Sequence, residues 1–432
     1  MLRSGRSSER GTILIQVAVS LLALTLFSAL VIDYGILWTS RRQAQNSADA
    51  GALAAAIHLL YNETDTPGAV EAAHAVAHVN GVWDELPASA DVLVKTGLTC
   101  PPGTGGGTGC VQVQVNRGNI DLDGNAHTNV LPTIFANIAG ITSQKISAVA
   151  MAQVISGNAV QCIKPFAVPD RWADWDQVPK DGSWNQGDTF TPPTDIFTPG
   201  PTSDGGTGFT VEQDYGYELL MKPGSTNDWS AGWAQLLSFT ESNSGSIVQQ
   251  EVVGCPDFVP TVGIYDGTTE CNSDDDADPT KGCVAVKNGA TIGPTIQNGI
   301  DELYDLDDEA YWDGTKVAGG CMDTEAGCTA INPAGINLSP RIVPVALFNP
   351  QSYWDSGCAG ANCAVQITNL IGFFIEGSCF DVYGSSFPAW CGSNPAEAKK
   401  AILGRIINYP GQYLNTAGPT TSSFTQVVRL VR

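Results

Sequence analysis

The 432-residue sequence is short of histidine, of basic residues and of N-terminal cysteine, and each shortage argues against a class of function. All four histidines, His58, His74, His78 and His127, precede residue 128, so the later chain has no imidazole to act as a base. No GxSxG or HExxH motif occurs. His74 and His78 are four apart on one helix face, but Ala75 stands where a zinc protease needs its general-base Glu, so packing or surface roles are expected. Lys and Arg total 21 against 44 Asp and Glu, a formal charge of −23. Residues 1–42 set five arginines against Glu9 and Asp33, a balance of +3 that leaves −26 on residues 43–432. Such an acidic surface repels nucleic acid and anionic headgroups, and no nucleic-acid partner is expected. Charged residues are only 15%, with 47 Gly and 25 Pro, which suits a turn-rich, β-rich secreted protein better than a disordered one.

What is present is one long apolar run. Ile13–Ile32 carries no charge, and its polar interruptions are Gln16, Ser20, Thr25 and Ser28. Twenty helical residues at 1.5 Å each cross a hydrocarbon core of roughly 30 Å. Arg3, Arg6 and Arg10 precede it, so the positive-inside rule puts residues 1–12 in the cytoplasm and the bulk outside, single-pass in a bacterial inner membrane. Arg41 and Arg42 argue the other way but lie beyond the span on a continuing helix. A cleaved signal peptide is the competing reading, although its apolar region is usually only 7 to 15 residues and ends at small residues. Gly11 followed by an apolar run is also similar to a type IV prepilin processing site, with Gln16 in place of the usual Glu.

Cysteine is absent from the first 99 residues, and twelve follow. Cys100/Cys110, Cys271/Cys283, Cys321/Cys328, Cys358/Cys363 and Cys379/Cys391 are sequence neighbours, leaving Cys162 with Cys255. This arrangement suits disulfides in an oxidising compartment, with connectivity left open. Zinc would want CxxC knuckles or nearby histidines, and both are lacking.

From Trp38 to Tyr61 there is no proline and much alanine, so the helix is expected to run on to about residue 61, roughly 70 Å from Ile13. Ala44, Ala48, Ala52, Ala55 and Leu59 line one face, and Ala50, Leu53, Ile57 and Leu60 another, which predicts nearly all-round burial of the last turns. Gly51 and Ala55 allow another backbone to come close, most simply that of the protein's own sheet. Thr66-Pro67 predicts a helix start and Asn80-Gly81 its end. Val111-Gln112-Val113-Gln114-Val115 alternates as a half-buried strand, and CPPGTGGGTGC before it reads as a hairpin tip. A helix over Leu131–Ala139 and a strand over Lys145–Ile155 complete the module.

These residues carry a resemblance. Arg10-Gly11, the span ending Val31-Ile32-Asp33-Tyr34-Gly35, and the run from Gln43 through Asn46-Ser47-Ala48-Asp49-Ala50-Gly51 to Ala56 resemble the N-terminal domain of bacterial TadE/TadG-like proteins of Tad (Flp) pilus assembly. Asn80-Gly81, the valine hairpin, Leu131–Ala136 and Ile146–Ala150 fit the family's order, so the likeness covers about residues 10–155. Cys162–Phe166 and Ser339–Pro344 resemble C-terminal regions of some members. The resemblance implies a membrane-anchored extracytoplasmic structural or assembly protein, not an enzyme, with the lipid bilayer and other pilus-assembly or envelope proteins as partners. Gln16, Asp33, Gly35 and Gly51 are the expected helix-packing residues. Longer TadG-like members often carry a von Willebrand A domain beginning Asp-x-Ser-x-Ser. The nearest stretch here is Asp228-Trp229-Ser230-Ala231-Gly232, so that domain is not expected.

The expected fold is α+β: residues 1–12 cytoplasmic, 13–32 transmembrane, and 33–155 a pilin-like helix-plus-antiparallel-sheet module. A Pro/Gly/Trp-rich linker follows over 156–214, then a disulfide-pinned, mainly β domain over 215–432. That domain should hold a helix at Gly293–Leu306 and strands at Arg341–Phe348, Val365–Glu376, Ala401–Tyr409 and Phe424–Val431. Within Cys271–Cys283, Asp274, Asp276 and Asp278 are candidate Ca²⁺ ligands, although Pro279 and Ala285 break the EF-hand pattern. Asn119, Asp121, Asp123, Gly124 and Asn125 match the same pattern partially, whereas Asp301–Asp313 reads as a solvated helix face. No other cofactor is expected. Trp172, Trp175 and Trp184 supply the alternative of a sugar-binding adhesin, and the many carboxylates a weaker one of a glycan hydrolase.

Overall fold

The computed structural model describes residues 8–61, 65–101, 109–118, 130–200, 205–223, 230–239, 245–263, 271, 277–287, 294–322, 338–357, 363–411 and 423–431. The chain forms two compact units, Met1–Val154 with Val428–Arg432, and Ile155–Val427.

The first unit is built on helix α1, Ser8–Tyr61, continuous for 54 residues. Its large apolar side chains from Ile13 to Ile32 are 43–72% exposed. Burial begins at Ala29 and continues through Asp33, Ile36, Ser40, Ala44, Ser47, Ala48, Ala52 and Ala55, a stripe at helical spacing. Helix α2, Thr66–Val79, lays Ala69, Ala73 and Ala77 against it. Its cap is Asp65, whose side chain accepts from Gly68 N at 2.9 Å, one residue before the expected Thr66. With alanine facing alanine the backbones come close enough for the Ser47 hydroxyl to reach the Ala77 carbonyl at 2.9 Å. A Cβ on Gly51 would meet Ala73 O at 3.2 Å and Val113 Cγ1 at 3.3 Å, so the glycine makes room for the chain's own helix and sheet. All-round burial of the last turns is not found, because Ile57 remains 37% exposed.

Under the helices lies a sheet in which strand β2, Cys110–Arg117, sits between β1, Val92–Leu98, and β3, Ile146–Ser156, antiparallel to both. Val111, Val113 and Val115 are buried while Gln112 and Gln114 are half exposed, the alternation of a sheet with one covered face. The C-terminal strand, Thr425–Val431, lies beyond β3 in this sheet. The chain thus leaves the unit after Val154 and returns at Val428 to complete it, whereas the sequence reading put that strand wholly in the second domain. The expected helix over Leu131–Ala139 is also absent. Pro132 and Thr133 favour extended backbone, so Leu131–Pro132 pairs with Ser143–Gln144, and Ala136–Ala139 forms a single 3₁₀ turn ending at Gly140, φ +84°.

The second unit is organised by strands β4, Phe166–Pro169; β5, Glu218–Pro223; β6, Trp233–Leu236; β7, Cys283–Ala285; β8, Ile342–Phe348; β9, Ala364–Ser378; and β10, Ile402–Ile407. Their order is β8-β4-β6-β5-β10-β9-β7, and β8 also pairs with β9, so six of the seven strands close into a ring. Pairings are antiparallel except β8 with β4 and β5 with β6, which are parallel. Alternate residues of the ring strands, including Phe166, Leu219, Leu236, Val345, Phe373 and Ile406, join one apolar cluster. Phe373 needs Gly404 opposite it, where an added Cβ would overlap the ring and the Phe374 carbonyl. Helices α3, Gly245–Val253, and α4, Pro294–Asp305, contribute Val248, Val252, Ile296, Ile300 and Leu303 to the same cluster.

The segment 156–214 is not a linker. It supplies β4 and the cluster members Trp172, Trp184, Phe190, Phe197 and Phe209. Its prolines and glycines shape the turns between these anchors, and the buried aromatic area fixes the segment without long strands.

Candidate functional site

Among the described residues, one polar junction in the first unit and one carboxylate cluster in the second bring chemistry-bearing residues together. In the first unit, Asp33 follows the apolar run directly. Its carboxylate accepts hydrogen bonds from Ile134 N at 2.9 Å, Phe135 N at 3.1 Å and Ala136 N at 2.5 Å. Three amide groups that open the 136–139 turn thus find their acceptor more than a hundred residues away, tying that loop to α1. Around this junction Tyr34 is 63% exposed, Trp38 51%, Ile134 54% and Ile141 54%. Gly35 has open space where a Cβ would point, and Gln16 lies on the exposed span. Of the four expected helix-packing residues, Gly51 packs within its own unit and Asp33 makes a polar latch.

The histidines serve locally among the described residues. His58 Nε2 lies 3.0 Å from Asp65, and His78 Nδ1 lies 2.7 Å from the Pro87 carbonyl. His74 Nδ1 is buried on α2. His127 lies outside the described residues.

Disulfides join Cys100–Cys110, Cys162–Cys255, Cys271–Cys283 and Cys379–Cys391. Cys321 and Cys363 are also disulfide-bonded, while Cys328 and Cys358 lie outside the described residues. Beside the 162–255 bridge, Lys164 donates to the Gly254 carbonyl at 2.7 Å, and burial pulls its ammonium down to about 7. Arg341 is buried too, its guanidinium donating to the carbonyls of Ile375, Glu376, Asp307 and Ala310 and stacking on Tyr304, 4.1 Å away. These two cations belong to the Cys162–Phe166 and Ser339–Pro344 stretches that carried the C-terminal resemblance, and both are internal ties.

The expected acidic loop is only partly placed. Asp274 and Asp276 lie outside the described residues, as do Asn119, Asp121, Asp123, Gly124 and Asn125. Asp278 caps Pro279–Lys281, accepting from Thr280 N at 3.1 Å and pairing with Lys281 at 3.2 Å; these bonds hold its carboxyl below the usual range. The tryptophan platform is overturned: Trp172 and Trp184 are 1% and 8% exposed, stacked edge-on at 5.9 Å in the core. Rings packed this way cannot face a sugar, and Trp175, 46% exposed, is left alone, so no three-ring platform forms and the adhesin alternative is unsupported.

In the same segment of the second unit, Asp174, Asp176 and Asp195 converge, one oxygen of each within 4.8 Å of the others. Asp195 is placed by Trp175 N and Thr191 N at 3.0 and 2.9 Å. Asp174 Oδ1 receives Asp176 N at 3.0 Å and Gln177 N at 2.9 Å. Asp188 stands next to Asp174; burial pushes its carboxyl up to about 6, with the bond from Asn185 N opposing and the Asp174 charge adding. The sequence offered only the Asp174-x-Asp176 spacing as a hint, because Asp195 reaches the pair through the turn at Thr191.

No curated protein and no solved structure matches the chain. A scan against family models does find a match, with no von Willebrand A domain reported, and it falls on the part of α1 that runs from the lipid-length span into the alanine-packed half. Residues 11–58 match the Tad family model, described as putative Flp pilus-assembly TadE/G-like.

Proposed function

We propose that the chain is a membrane-anchored, extracytoplasmic structural or assembly component of a Tad/Flp-type pilus. The observation that carries the reading is the coincidence of the Tad match at residues 11–58 with a helix that changes character within it. The helix is long and apolar enough to span a membrane and then becomes an alanine-rich packing helix. In this reading residues 1–12 are cytoplasmic, 13–32 lie in the inner membrane, and the rest of the first unit and the whole of the second lie outside the cytoplasm, where cysteines oxidise. The first unit acts as a pilin-like module rigidly continuous with its anchor, and Asp33 locks the 134–136 loop to the helix at the membrane edge. The role is assembly and not catalysis. Partners are other pilus-assembly or envelope proteins, met in the membrane through Gln16, Ser20, Ser28 and Ala29, since small residues and occasional side-chain hydrogen bonds supply helix specificity in lipid.

The test removes the chain from cells and restores it with single cysteines placed for labelling. Pili should be lost and then recovered, and a membrane-impermeant thiol reagent should reach the second unit once the outer envelope alone is opened. Normal pili without the chain, or labelling only from the cytoplasmic side, would overturn the reading.

A further inference from the structure

Carboxylates buried without a counter-charge are costly, and proteins meet the cost by protonation, by ion pairing or by binding a metal. The second unit contains such a group. Asp174 and Asp195 are 2% and 1% exposed, and neither they nor Asp176 is paired with a lysine or arginine among the described residues. The nearby Arg171 is committed elsewhere, to Asp214 at 2.7 Å.

The hydrogen bonds leave a specific remainder. Both Asp195 oxygens accept from backbone amides, Asp174 Oδ1 accepts from two more, and Asp176 Oδ2 accepts from the Thr191 hydroxyl. Asp174 Oδ2 and Asp176 Oδ1 are sealed from solvent with no donor. Turn capping accounts for the first set and not for these two. An almost fully buried carboxylate whose second oxygen has no hydrogen-bond donor, close to the carboxylates of Asp176 and Asp195 and beside that of Asp188, is an arrangement a hard cation satisfies.

We propose that Asp174, Asp176 and Asp195 bind one Ca²⁺ ion. Calcium–oxygen distances of about 2.3–2.6 Å let two ligands of one ion stand up to roughly 5 Å apart, which accommodates three oxygens within 4.8 Å of each other. Magnesium, at about 2.0–2.1 Å in near-ideal octahedral geometry, needs a tighter set and keeps several waters. Asp176 is half-buried, which leaves a side for water or carbonyl oxygen to complete the shell. The ion would fasten 174–177 to 191–195, two turns of a segment that has little regular secondary structure. This inference does not depend on the pilus reading: the site is in the second unit, and the Tad match ends at residue 58.

The experiment uses the full chain in detergent, stripped with EDTA, and Tb³⁺ as the probe, excited through the indoles of Trp172, Trp175 and Trp184. Saturable sensitised emission, displaced by Ca²⁺, is expected. Asp174→Asn and Asp195→Asn should each weaken Tb³⁺ binding by about tenfold or more, because each removes a charged ligand. An Asp274→Asn, Asp276→Asn double variant should leave the signal unchanged. Should either buried variant fail to fold, half-buried Asp176→Asn decides by the same tenfold criterion. As a second readout, millimolar Ca²⁺ should raise the melting temperature of the wild type and not of Asp176→Asn. Absence of saturable emission in the wild type, or emission and melting shifts that persist in the 174, 176 and 195 variants, would overturn the proposal.

Discussion

In the first unit the buried stripe of α1 is Ala44, Ala48, Ala52 and Ala55 facing Ala69, Ala73 and Ala77, while the second unit buries Phe166, Phe190, Phe348, Phe373 and Trp172. The first is held by close backbone approach and tolerates no added volume. The second is held by large side chains closing a ring and depends on each of them, with disulfides and the buried cations Lys164 and Arg341 at its margins. A helix apolar enough to span a membrane that continues straight into a packed module gains from small residues, because alanine preserves helix propensity while letting α2 and the sheet come near. Apart from β9, the ring strands are short, with few ladder hydrogen bonds each, and the ring draws much of its stability from apolar area.

The largest effect should follow from enlarging that contrast in the second unit. Phe373→Ala removes a ring that is 1% exposed and sits over Gly404, and chemical denaturation should show a loss of about 3–5 kcal/mol. The first unit should respond to the opposite change. Gly51→Val adds volume where Ala73 O and Val113 are already 3.2–3.3 Å from a Cβ position, so a loss of about 1–3 kcal/mol is expected, while trimming Leu53, only partly buried, should cost less. Asp33→Asn keeps the shape of the latch but removes its charge. Its expected cost is about 0.5–2 kcal/mol, similar to losing a helix cap, read as faster hydrogen exchange at Ile134, Phe135 and Ala136.

A further effect is a slope with pH. Lys164 is pulled down to about 7 in the folded chain, against 10.5 for an ordinary lysine. Between those values the unfolded chain holds a proton that the folded chain has released, so this group makes stability rise with pH through that window and contributes no slope outside it. Melting curves at pH 7 and pH 9 should show the wild type gaining more than Lys164→Met.

Much of the first unit was legible because its signals are local. The uncharged span, the alanine spacing from Ala44 to Ala55 and the alternation Val111–Val115 each lie within twenty residues or fewer, and the periods of the last two match the helix and strand observed. Cysteine neighbours such as Cys379 and Cys391 were legible for the same reason. What was missed depends on distant partners. The Leu131–Ala139 stretch has helical composition, but Asp33 takes the amides of its first turn into a tight loop. β4 is four residues with both faces buried, so it shows no alternation amid prolines and tryptophans. The return of Val428–Val431 to a sheet whose first three strands end near residue 156, and the meeting of Asp174 with Asp195, are properties of closed topology that no window of sequence contains.

The central claim is that one helix does two jobs, specific contact within the membrane and rigid packing outside it. The most direct measurement replaces residues 13–32 with an unrelated leucine-rich span of equal length, leaving Asp33 onward untouched. Membrane location and folding of the exterior should survive while pili and partner cross-links are lost. Pili and cross-links at wild-type levels would show that the span is only a tether, and the account of the helix would be wrong.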